Sequence, residues 1–240
     1  MTGGGVTKKI KEEINMAFQL NSVVPWGRNM AEYRQMFLLS SDDMSKKIAG
    51  FGDGPASFNC EASQCGYSVT SFDPIYQFTK NEIQNRVEEV RTVVMQQMKE
   101  NADNYVWKNI RSLDELENIR MSAMETFLSD YEKGKREKRY IYHELPNTVP
   151  CTDNAFDIGL SSHFLLMYTV LGYDFHIKAI TEMLRVCKEV RIFPIVDLDA
   201  HKNDLTAAVI EYFNKRYSVN IQDTEYEFQK GDNQMLIIRK

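Results

Sequence analysis

The stretch of chain from residue 47 to residue 72 constrains the fold more strongly than any other part of the sequence. Residues 47–51 form a mostly apolar run that leads into the turn Gly52-Asp53-Gly54-Pro55. Residues 56–65 have the small side chains of a packed helix, and residues 67–72 form a second apolar run. Proline after the glycines suits the first turn of a helix, where its missing N–H is no loss. A strand, a glycine turn, a helix and another strand are the opening of a parallel α/β sheet.

A long helical segment separates this opening from the rest of the sheet. Residues 80–139 are highly charged and carry two apolar stripes at helical spacing, so they predict two helices inserted after the second strand. The α/β alternation then resumes, with strands predicted at residues 139–143, 156–160, 190–196, 217–222 and 235–239. Helices are predicted between these strands, at residues 175–187 and 205–216.

The two ends of the chain complete the predicted organisation. Gly231-Asp232-Asn233 has turn chemistry and predicts that the last two strands pair antiparallel, with residues 225–228 extending the first of them. Residues 1–45 predict short helices, one with an apolar face from Val6 to Phe18 and one that carries Tyr33 and Phe37. We therefore predict a single domain over residues 1–240 with one helical insertion at residues 80–139.

Composition excludes several classes of protein. The chain has 240 residues, 43% of them hydrophobic, and a net charge of -5, which argues against a dedicated nucleic-acid binder. The longest apolar stretch, residues 164–172, is about half the ~20 residues of a membrane-spanning helix. Residues 1–11 lack an export signal, and the four cysteines are too scattered for a disulfide framework. We expect a cytoplasmic protein with reduced thiols and no membrane or nucleic-acid partner.

The glycine turn and one acidic residue predict a ligand site. Gly50, Gly52 and Gly54 alternate at the end of the first strand, and Asp73 follows the second strand 19 residues beyond Gly54. Glycines let the backbone approach a ligand closely, and an acidic side chain one strand away can accept hydrogen bonds from both hydroxyls of a ribose. The pattern therefore predicts a nucleoside site. The alternative is that the glycines only turn the chain and Asp73 only ends a strand.

The kind of nucleoside follows from what the turn lacks. A dinucleotide site needs Gly-x-Gly-x-x-Gly or Gly-x-Gly-x-x-Ala, so that a pyrophosphate rests on the helix N-terminus. The third position is Pro55 when the pattern is read from Gly50, and Ser57 when it is read from Gly52. Neither is the expected small partner, so the turn favours a cofactor without phosphate.

Four segments resemble, in the same order, the signature segments of class I S-adenosylmethionine-dependent methyltransferases. They are Gly50-Phe51-Gly52-Asp53-Gly54, the strand-ending Asp73, Val149-Pro150-Cys151-Thr152-Asp153-Asn154-Ala155-Phe156-Asp157, and Glu182-Met183-Leu184-Arg185-Val186. The resemblance runs from about Trp26 to the closing strands. It implies an α/β three-layer sandwich with a mostly parallel seven-stranded sheet, an antiparallel last strand and a helical insertion after the second strand.

The same resemblance implies a set of cofactor-binding residues. It places Gly50, Gly52 and Gly54 against the methionine and ribose of S-adenosylmethionine, and Asp73 on the ribose hydroxyls. Many members of the family carry an acidic residue two positions before the first glycine, where this chain has Ile48.

The remaining positions surround the adenine and the reacting sulfonium. Pro74 and Ile75 correspond to the apolar contact on the adenine face, and His143 or Glu144 to the contact with the adenine amino group. Ser161 corresponds to the position beside the sulfonium, and Tyr33 to one that reaches the cofactor carboxylate. Cys187-Lys188-Glu189 replaces the usual Pro-Gly-Gly turn before the fifth strand.

Two further groups of residues have a functional and a structural interpretation. His163 follows the fourth strand and is the candidate catalytic base, or else a helix-start histidine bonded to the backbone. Asp197, Asp199 and His201 have a spacing that could bind a metal, but such residues more often cap a helix. We predict no metal. Trp26 and Arg28 precede the glycine turn and either could contact cofactor or substrate.

Together these observations predict methyl transfer from S-adenosylmethionine to an unidentified small-molecule acceptor, with S-adenosylhomocysteine as product. The helical insertion and the N-terminal helices are expected to roof the cleft and select the acceptor. Two alternatives stay open at this point. One is a protein that binds the adenosyl cofactor without catalysis, and the other is an NAD(P)-dependent oxidoreductase on a similar sheet.

Overall fold

The computed structural model describes residues 24–240, and these contain one seven-stranded sheet. The strands in chain order are β1 Lys47–Phe51, β2 Ser68–Asp73, β3 Tyr140–Tyr142, β4 Phe156–Ser162, β5 Cys187–Phe193, β6 Ser218–Asp223 and β7 Gln234–Arg239. Their spatial order is β3-β2-β1-β4-β5-β7-β6. The β7 strand is antiparallel to both of its neighbours, and the other pairings are parallel. The predicted sheet is confirmed.

The order of the strands creates a crevice at one edge of the sheet. From β1 the chain proceeds outward through β2 and β3, and from β4 it proceeds outward in the opposite direction through β5. The strand order therefore reverses between β1 and β4, and ligands of open α/β sheets bind outside the carboxyl ends of the strands at such a point. Gly50 of β1 pairs with Leu160 of β4, so the glycine turn and Ser161 lie beside this crevice.

Helices cover both faces of the sheet and supply the other two layers. In chain order they are α1 Met30–Phe37, α2 Ser41–Met44, α3 Phe58–Gln64, α4 Lys80–Glu100, α5 Leu113–Arg136, α6 Tyr173–Val186 and α7 Asp204–Asn214. Alternating residues of β1 enter the two cores: Ile48 packs with α1 and α3, whereas Ala49 and Phe51 pack with α6 and α7. This is the pattern expected of a strand buried on both faces.

The insertion after β2 consists of α4 and α5, as predicted, and has a core of its own. That core contains Ile83 and Val87 of α4 and Phe127 and Tyr131 of α5. Ile75, from the short 3₁₀ turn after β2, is buried in the same cluster. The insertion is therefore anchored directly beside the end of β2.

Several predicted boundaries differ from the structure, most of them by one or two residues. The strand predicted at residues 190–196 is β5 Cys187–Phe193, three residues earlier, since the chain passes directly from helix to strand without a turn. The helix predicted at residues 56–65 begins at Phe58, and the helix predicted at 175–187 ends at Val186 because Cys187 already begins β5. Residues 225–228 do not extend β6, which ends at Asp223. Thr224 N–H donates to the Asn233 carbonyl at 2.8 Å and closes the hairpin, so the chain between them forms a separate loop.

That loop packs against the insertion. Phe228 stacks on Tyr105 with ring centroids 4.8 Å apart, and Val106 N–H donates to the Phe228 carbonyl at 2.7 Å. The turn between α4 and α5 therefore reaches across the carboxyl edge of the sheet to the closing hairpin.

The helix predicted from Val6 to Phe18 lies outside the described residues. That the chain forms a single domain stays a prediction. Among residues 24–240, no helix combines the length and the apolar character that crossing a bilayer requires.

Candidate functional site

The glycine turn has the backbone that its sequence predicts. Gly52 and Gly54 have φ angles of +74° and +56°, in the left-handed region that favours glycine. Gly52 N–H donates to the Phe72 carbonyl at 2.9 Å and ties the turn to β2. A Cβ on Gly54 would meet open space, whereas a Cβ on Gly52 would lie 2.7 Å from the ring of Phe164. The turn is thus open at Gly54 and covered by Phe164 at Gly52.

Replacing Gly52 by alanine is expected to destabilise the protein by about 2 kcal/mol, since backbone strain adds to overlap with Phe164. Gly66 provides a matched control, because it has a φ of +82° and nothing within 4 Å of its Cβ position. Gly66→Ala should incur only the backbone cost, about 1 kcal/mol. Urea unfolding of both variants measures the difference, and equal losses would contradict the packing of Phe164 on the turn.

Gly50 makes room for a buried carboxylate that the sequence analysis did not single out. A Cβ at Gly50 would overlap the carboxylate of Asp53. Asp53 accepts hydrogen bonds from the Tyr33 hydroxyl at 2.8 Å and from Ser71 Oγ at 2.6 Å. Burial raises the pKa of Asp53 to about 6, and these two hydrogen bonds oppose the rise. The Tyr33 hydroxyl is therefore engaged beneath the turn, and its predicted contact with a cofactor stays a prediction.

Asp73 ends β2 directly beside the turn. Its two carboxylate oxygens accept N–H bonds from Gly54 at 2.8 Å and from Ile75 at 2.7 Å. The side chain is almost completely buried. Burial raises the pKa of Asp73 to about 7, the two N–H bonds oppose the rise, and the nearby charge of Asp53 adds to it. Each oxygen keeps a further lone pair that a hydroxyl group could use.

Two buried polar atoms at the same edge of the sheet lack hydrogen-bond partners. They are Nε2 of His143, directly after β3, and Oγ of Ser161, near the end of β4. The ring of His143 lies edge-on to Phe72 at 6.1 Å, and burial lowers its pKa. Leaving a buried polar atom unpaired costs free energy, so each marks a place where a ligand atom could bind. Glu144 is exposed, and the choice between His143 and Glu144 for the adenine amino group stays a prediction.

His163 leaves β4 in a strained conformation with a φ of +54°. Its Nδ1 lies 2.9 Å from Ser162 Oγ, and its ring lies edge-on to Tyr226 with centroids 6.5 Å apart. Burial, and then the guanidinium groups of Arg28 and Arg120, hold the pKa of His163 well below its usual range. The imidazole is therefore neutral near pH 7.

A buried ion pair adjoins Tyr226, the aromatic neighbour of His163. Arg120 of the insertion donates to both carboxylate oxygens of Glu32 at 2.6 Å and to the Tyr226 hydroxyl at 3.2 Å. The Tyr226 hydroxyl donates to Glu32 at 3.1 Å. Burial tends to raise the pKa of Glu32, but the charge of Arg120 keeps it below its usual value. This cluster, which we call the Arg120 clamp, joins α1, α5 and the hairpin loop.

Asp197 and its neighbours form a turn. The carboxylate of Asp197 accepts the backbone N–H groups of Asp199 and His201 at 3.0 and 2.8 Å. Within residues 24–240, no three or more His, Cys, Asp or Glu side chains are grouped so as to hold a metal ion.

A separate cavity of about 410 Å³ lies between α3 and α5, away from Asp73 and Ser161. Its wall is mostly polar and consists of Asn29, Ser57, Glu61, Asn118, Ile119, Ser122, Ala123 and Thr126. The only ionisable group in this wall is the Glu61 carboxylate, which accepts a bond from Ser57 Oγ.

The sheet order, the antiparallel β7 and the helical layers define the class I methyltransferase-like α/β fold. No family model matches the chain. The chain is 37% identical over 223 residues to the uncharacterized protein MJ0045 of Methanocaldococcus jannaschii, and the match covers 92% of this chain and 98% of that protein. The chain therefore belongs to the same family as MJ0045.

Three solved structures of similar fold match this chain over most of the length of both proteins. A SAM dependent methyltransferase from Aquifex aeolicus shares 13% identity and covers 97% of this chain and 96% of its own, with a TM-score of 0.41. A TehB-like SAM-dependent methyltransferase from Corynebacterium glutamicum shares 16% identity, and the match covers 87% of this chain and 86% of that protein, with a TM-score of 0.46. The PH0226 protein from Pyrococcus horikoshii shares 8% identity, and the match covers 93% of this chain and 99% of that protein, with a TM-score of 0.48.

Proposed function

We propose that this protein transfers a methyl group from S-adenosylmethionine to a small-molecule acceptor. The observation that carries the proposal is the carboxylate of Asp73, which ends β2 and accepts the Gly54 N–H at 2.8 Å beside the reversal in strand order. An acidic side chain against a glycine turn at this point of a parallel sheet is the arrangement that recognises a ribose.

The residues at this edge fit the adenosyl cofactor. The cradle at Gly54 has space that a side chain would fill, and the unpaired atoms of His143 and Ser161 lie at the ends of the strands that flank β1 and β2. Asp73 keeps free lone pairs toward the crevice. When bound, the cofactor supplies a methyl group that is already activated for transfer.

Each residue has a specific part in the proposal. Asp73 accepts the ribose hydroxyls, and Gly54 gives the main chain close access to the methionine and ribose. Gly50 and Gly52 shape the turn by making room for Asp53 and Phe164. Pro74 supports the adenine face, whereas the side chain of Ile75 is buried in the core of the insertion and its N–H positions Asp73. His143 Nε2 pairs with the adenine amino group. Ser161 Oγ lies beside the sulfonium, and Tyr33 acts through Asp53, to which it donates.

The acceptor side of the site is formed by His163 and Tyr226 beneath the Arg120 clamp. The neutral imidazole of His163 takes the proton that the acceptor nucleophile loses, and its contact with Ser162 Oγ orients the ring. Alignment of the two reactants can itself lower a barrier by about 7 to 11 kcal/mol, so the chain needs few reactive groups.

Cofactor affinity should depend on pH through Asp73. Its pKa of about 7 in the unliganded protein means that the ionised form, which accepts both hydroxyls, is scarce at low pH. Affinity for S-adenosylhomocysteine should rise about ten-fold per unit from pH 5.5 to 7 and level off above pH 8. The neighbouring Asp53 also has a raised pKa, and its negative charge, once formed, opposes the ionisation of Asp73.

Stability of the unliganded protein should change in the opposite sense. A carboxyl with a raised pKa stabilises the fold fully below about pH 3.8, and this contribution is lost as the pH rises through about 7. Calorimetric affinities and thermal unfolding, each compared with Asp73→Asn, measure the two effects. An affinity that stays constant from pH 5.5 to 8 would contradict the role of Asp73.

The function itself is tested by incubating the protein with methyl-labelled S-adenosylmethionine and a metabolite extract. We expect label in a small molecule, and loss of that transfer in Asp73→Ala. Binding of S-adenosylhomocysteine without any transfer would instead favour the non-catalytic alternative. That alternative is open because this chain has the apolar Ile48 at a position where many class I methyltransferases carry an acidic residue. Binding of NAD in place of the adenosyl compounds would favour the oxidoreductase.

A further inference from the structure

The segment that precedes α1 contains two nitrogen donors without partners. Nε1 of Trp26 and Nε of Arg28 are inaccessible to solvent, and neither donates a hydrogen bond within the described residues. The Arg28 guanidinium makes one long contact, from Nη1 to the Trp26 carbonyl at 3.4 Å. It forms no ion pair with any carboxylate of residues 24–240. A partly buried cation without a counter-charge is costly unless a ligand supplies one.

The backbone of this segment is fixed against the glycine turn. Ser57 N–H donates to the Arg28 carbonyl at 3.0 Å. Gly27 packs so closely on Pro55 that a Cβ would overlap the Pro55 carbonyl. Arg28 is therefore held beside the site by contacts that do not involve its side chain, which leaves the guanidinium available.

The charge of Arg28 acts on the acceptor side of the site. Burial dominates the pKa values of His163, Tyr168 and Tyr226, and the positive charge of Arg28 lowers each of them. The pKa of Asp73 instead reflects burial, the N–H groups of Ile75 and Gly54, and the charge of Asp53. The positive charge of Arg28 therefore reaches the candidate base His163 and its neighbour Tyr226.

The acidic groups near Arg28 are already committed. Glu32 is paired with Arg120 in the Arg120 clamp. Asp232 accepts the Phe228 N–H at 3.2 Å, and burial raises its pKa to about 7. Neither carboxylate forms an ion pair with Arg28, so the Arg28 guanidinium can take an anion of its own.

We propose that Arg28, with the Trp26 indole as a second donor, binds a carboxylate or phosphate group of the methyl acceptor, so that the acceptor is a small anionic molecule. This inference rests on the proposed function. The same donors could in principle serve the carboxylate of the cofactor's methionine, and the experiment separates the two sources.

The test follows side-chain N–H signals by NMR while sodium acetate or inorganic phosphate is added at constant ionic strength to the complex with S-adenosylhomocysteine. The chain has two tryptophans. We expect the Trp26 indole and Arg28 Nε–H signals to shift saturably. Two signals serve as internal controls: the Trp107 indole, which donates to the Ala102 carbonyl at 2.9 Å, and Arg139 Nε–H, which donates to Glu137 at 2.9 Å. Both should stay unchanged.

Variants sharpen the assignment. Arg28→Gln should weaken anion binding by about ten-fold or more, as expected for loss of a charged hydrogen bond. Arg34→Gln, an equal charge change at an exposed position of α1, should leave it unchanged. No saturable shift at Trp26 or Arg28 would overturn the proposal. A second result would also overturn it. If S-adenosylhomocysteine shifted these signals and abolished their response to acetate, and 5′-methylthioadenosine did not, the donors would bind the cofactor carboxylate.

A second measurement uses the reaction. Separating the metabolite extract on an anion exchanger before the labelling assay should leave all acceptor activity in the retained fraction. Acceptor activity found only in the unretained fraction would overturn the proposal. Failure to bind S-adenosylhomocysteine would refute the proposed function alone, since the acetate titration of the unliganded protein still decides whether Arg28 binds anions.

Discussion

Replacing Asp73 by alanine is expected to weaken S-adenosylhomocysteine binding by about 100-fold at pH 8, because a carboxylate hydrogen bond contributes roughly 1.5 to 3 kcal/mol and two ribose hydroxyls are involved. Asp73→Asn should lose less affinity, since it keeps an oxygen acceptor of the same shape. Isothermal titration calorimetry measures both.

A chemical control separates ribose recognition from damage to the turn. Asp73 also accepts the N–H groups of Gly54 and Ile75, so its removal could disturb the turn itself. The 2′,3′-dideoxy analogue of S-adenosylhomocysteine should bind wild type weakly and Asp73→Ala equally weakly. Asp153→Ala, an equal charge change at a side chain that is 72% exposed, should bind like wild type. If Asp73→Ala weakened both compounds by the same factor, the carboxylate would not be recognising the hydroxyls.

Replacing Arg120 by methionine is expected to lower the free energy of unfolding by about 3 to 5 kcal/mol. The reason is that Glu32, which is 7% exposed, would keep a buried charge without its partner. The double variant Arg120→Met, Glu32→Gln removes that charge and should recover most of the loss. Urea unfolding at pH 7 measures all three free energies.

The pH dependence of the single variant gives an independent check. The Glu32 pKa is lowered in the folded wild type, so the pair stabilises the fold above about pH 4.5 and loses this effect as the pH falls. In Arg120→Met the Glu32 carboxylate has lost its partner. Its protonation at low pH should therefore make the fold of this variant more stable. Arg91→Met is a matched control, because Arg91 joins α4 to Glu117 of α5 at 2.7 Å on the exposed surface of the insertion. An equal loss of unfolding free energy in the two single variants would show that the Arg120 clamp stabilises the fold no more than an exposed ion pair does.

The parts of the fold that follow from local chemistry could be predicted from the sequence. The glycine turn, Asp73 and the alternation of strands and helices depend on residues that are neighbours in the chain or on periodicity. These features were sufficient to predict the sheet, the antiparallel last strand and the position of the insertion. They also place the glycine turn and Ser161 at one edge, since both lie at the carboxyl ends of neighbouring parallel strands.

The Arg120 clamp could not be predicted in this way. Its contacts join residues 88, 106 and 194 positions apart, and no local pattern marks them. The loop at residues 225–228 was misassigned because Tyr226 and Phe228 alternate with acidic residues as in a half-buried strand. Phe228 instead packs on Tyr105 and Trp107 of the insertion, and Tyr226 bonds to Arg120 and Glu32. Asp53 was overlooked because a turn residue gives no sign that its side chain folds back over Gly50.

The most direct test of the account is a calorimetric titration of the wild-type protein with S-adenosylhomocysteine and, separately, with NAD at pH 8. We predict saturable binding of one S-adenosylhomocysteine per chain and no binding of NAD. Binding of NAD without binding of the adenosyl compound would contradict the proposed site.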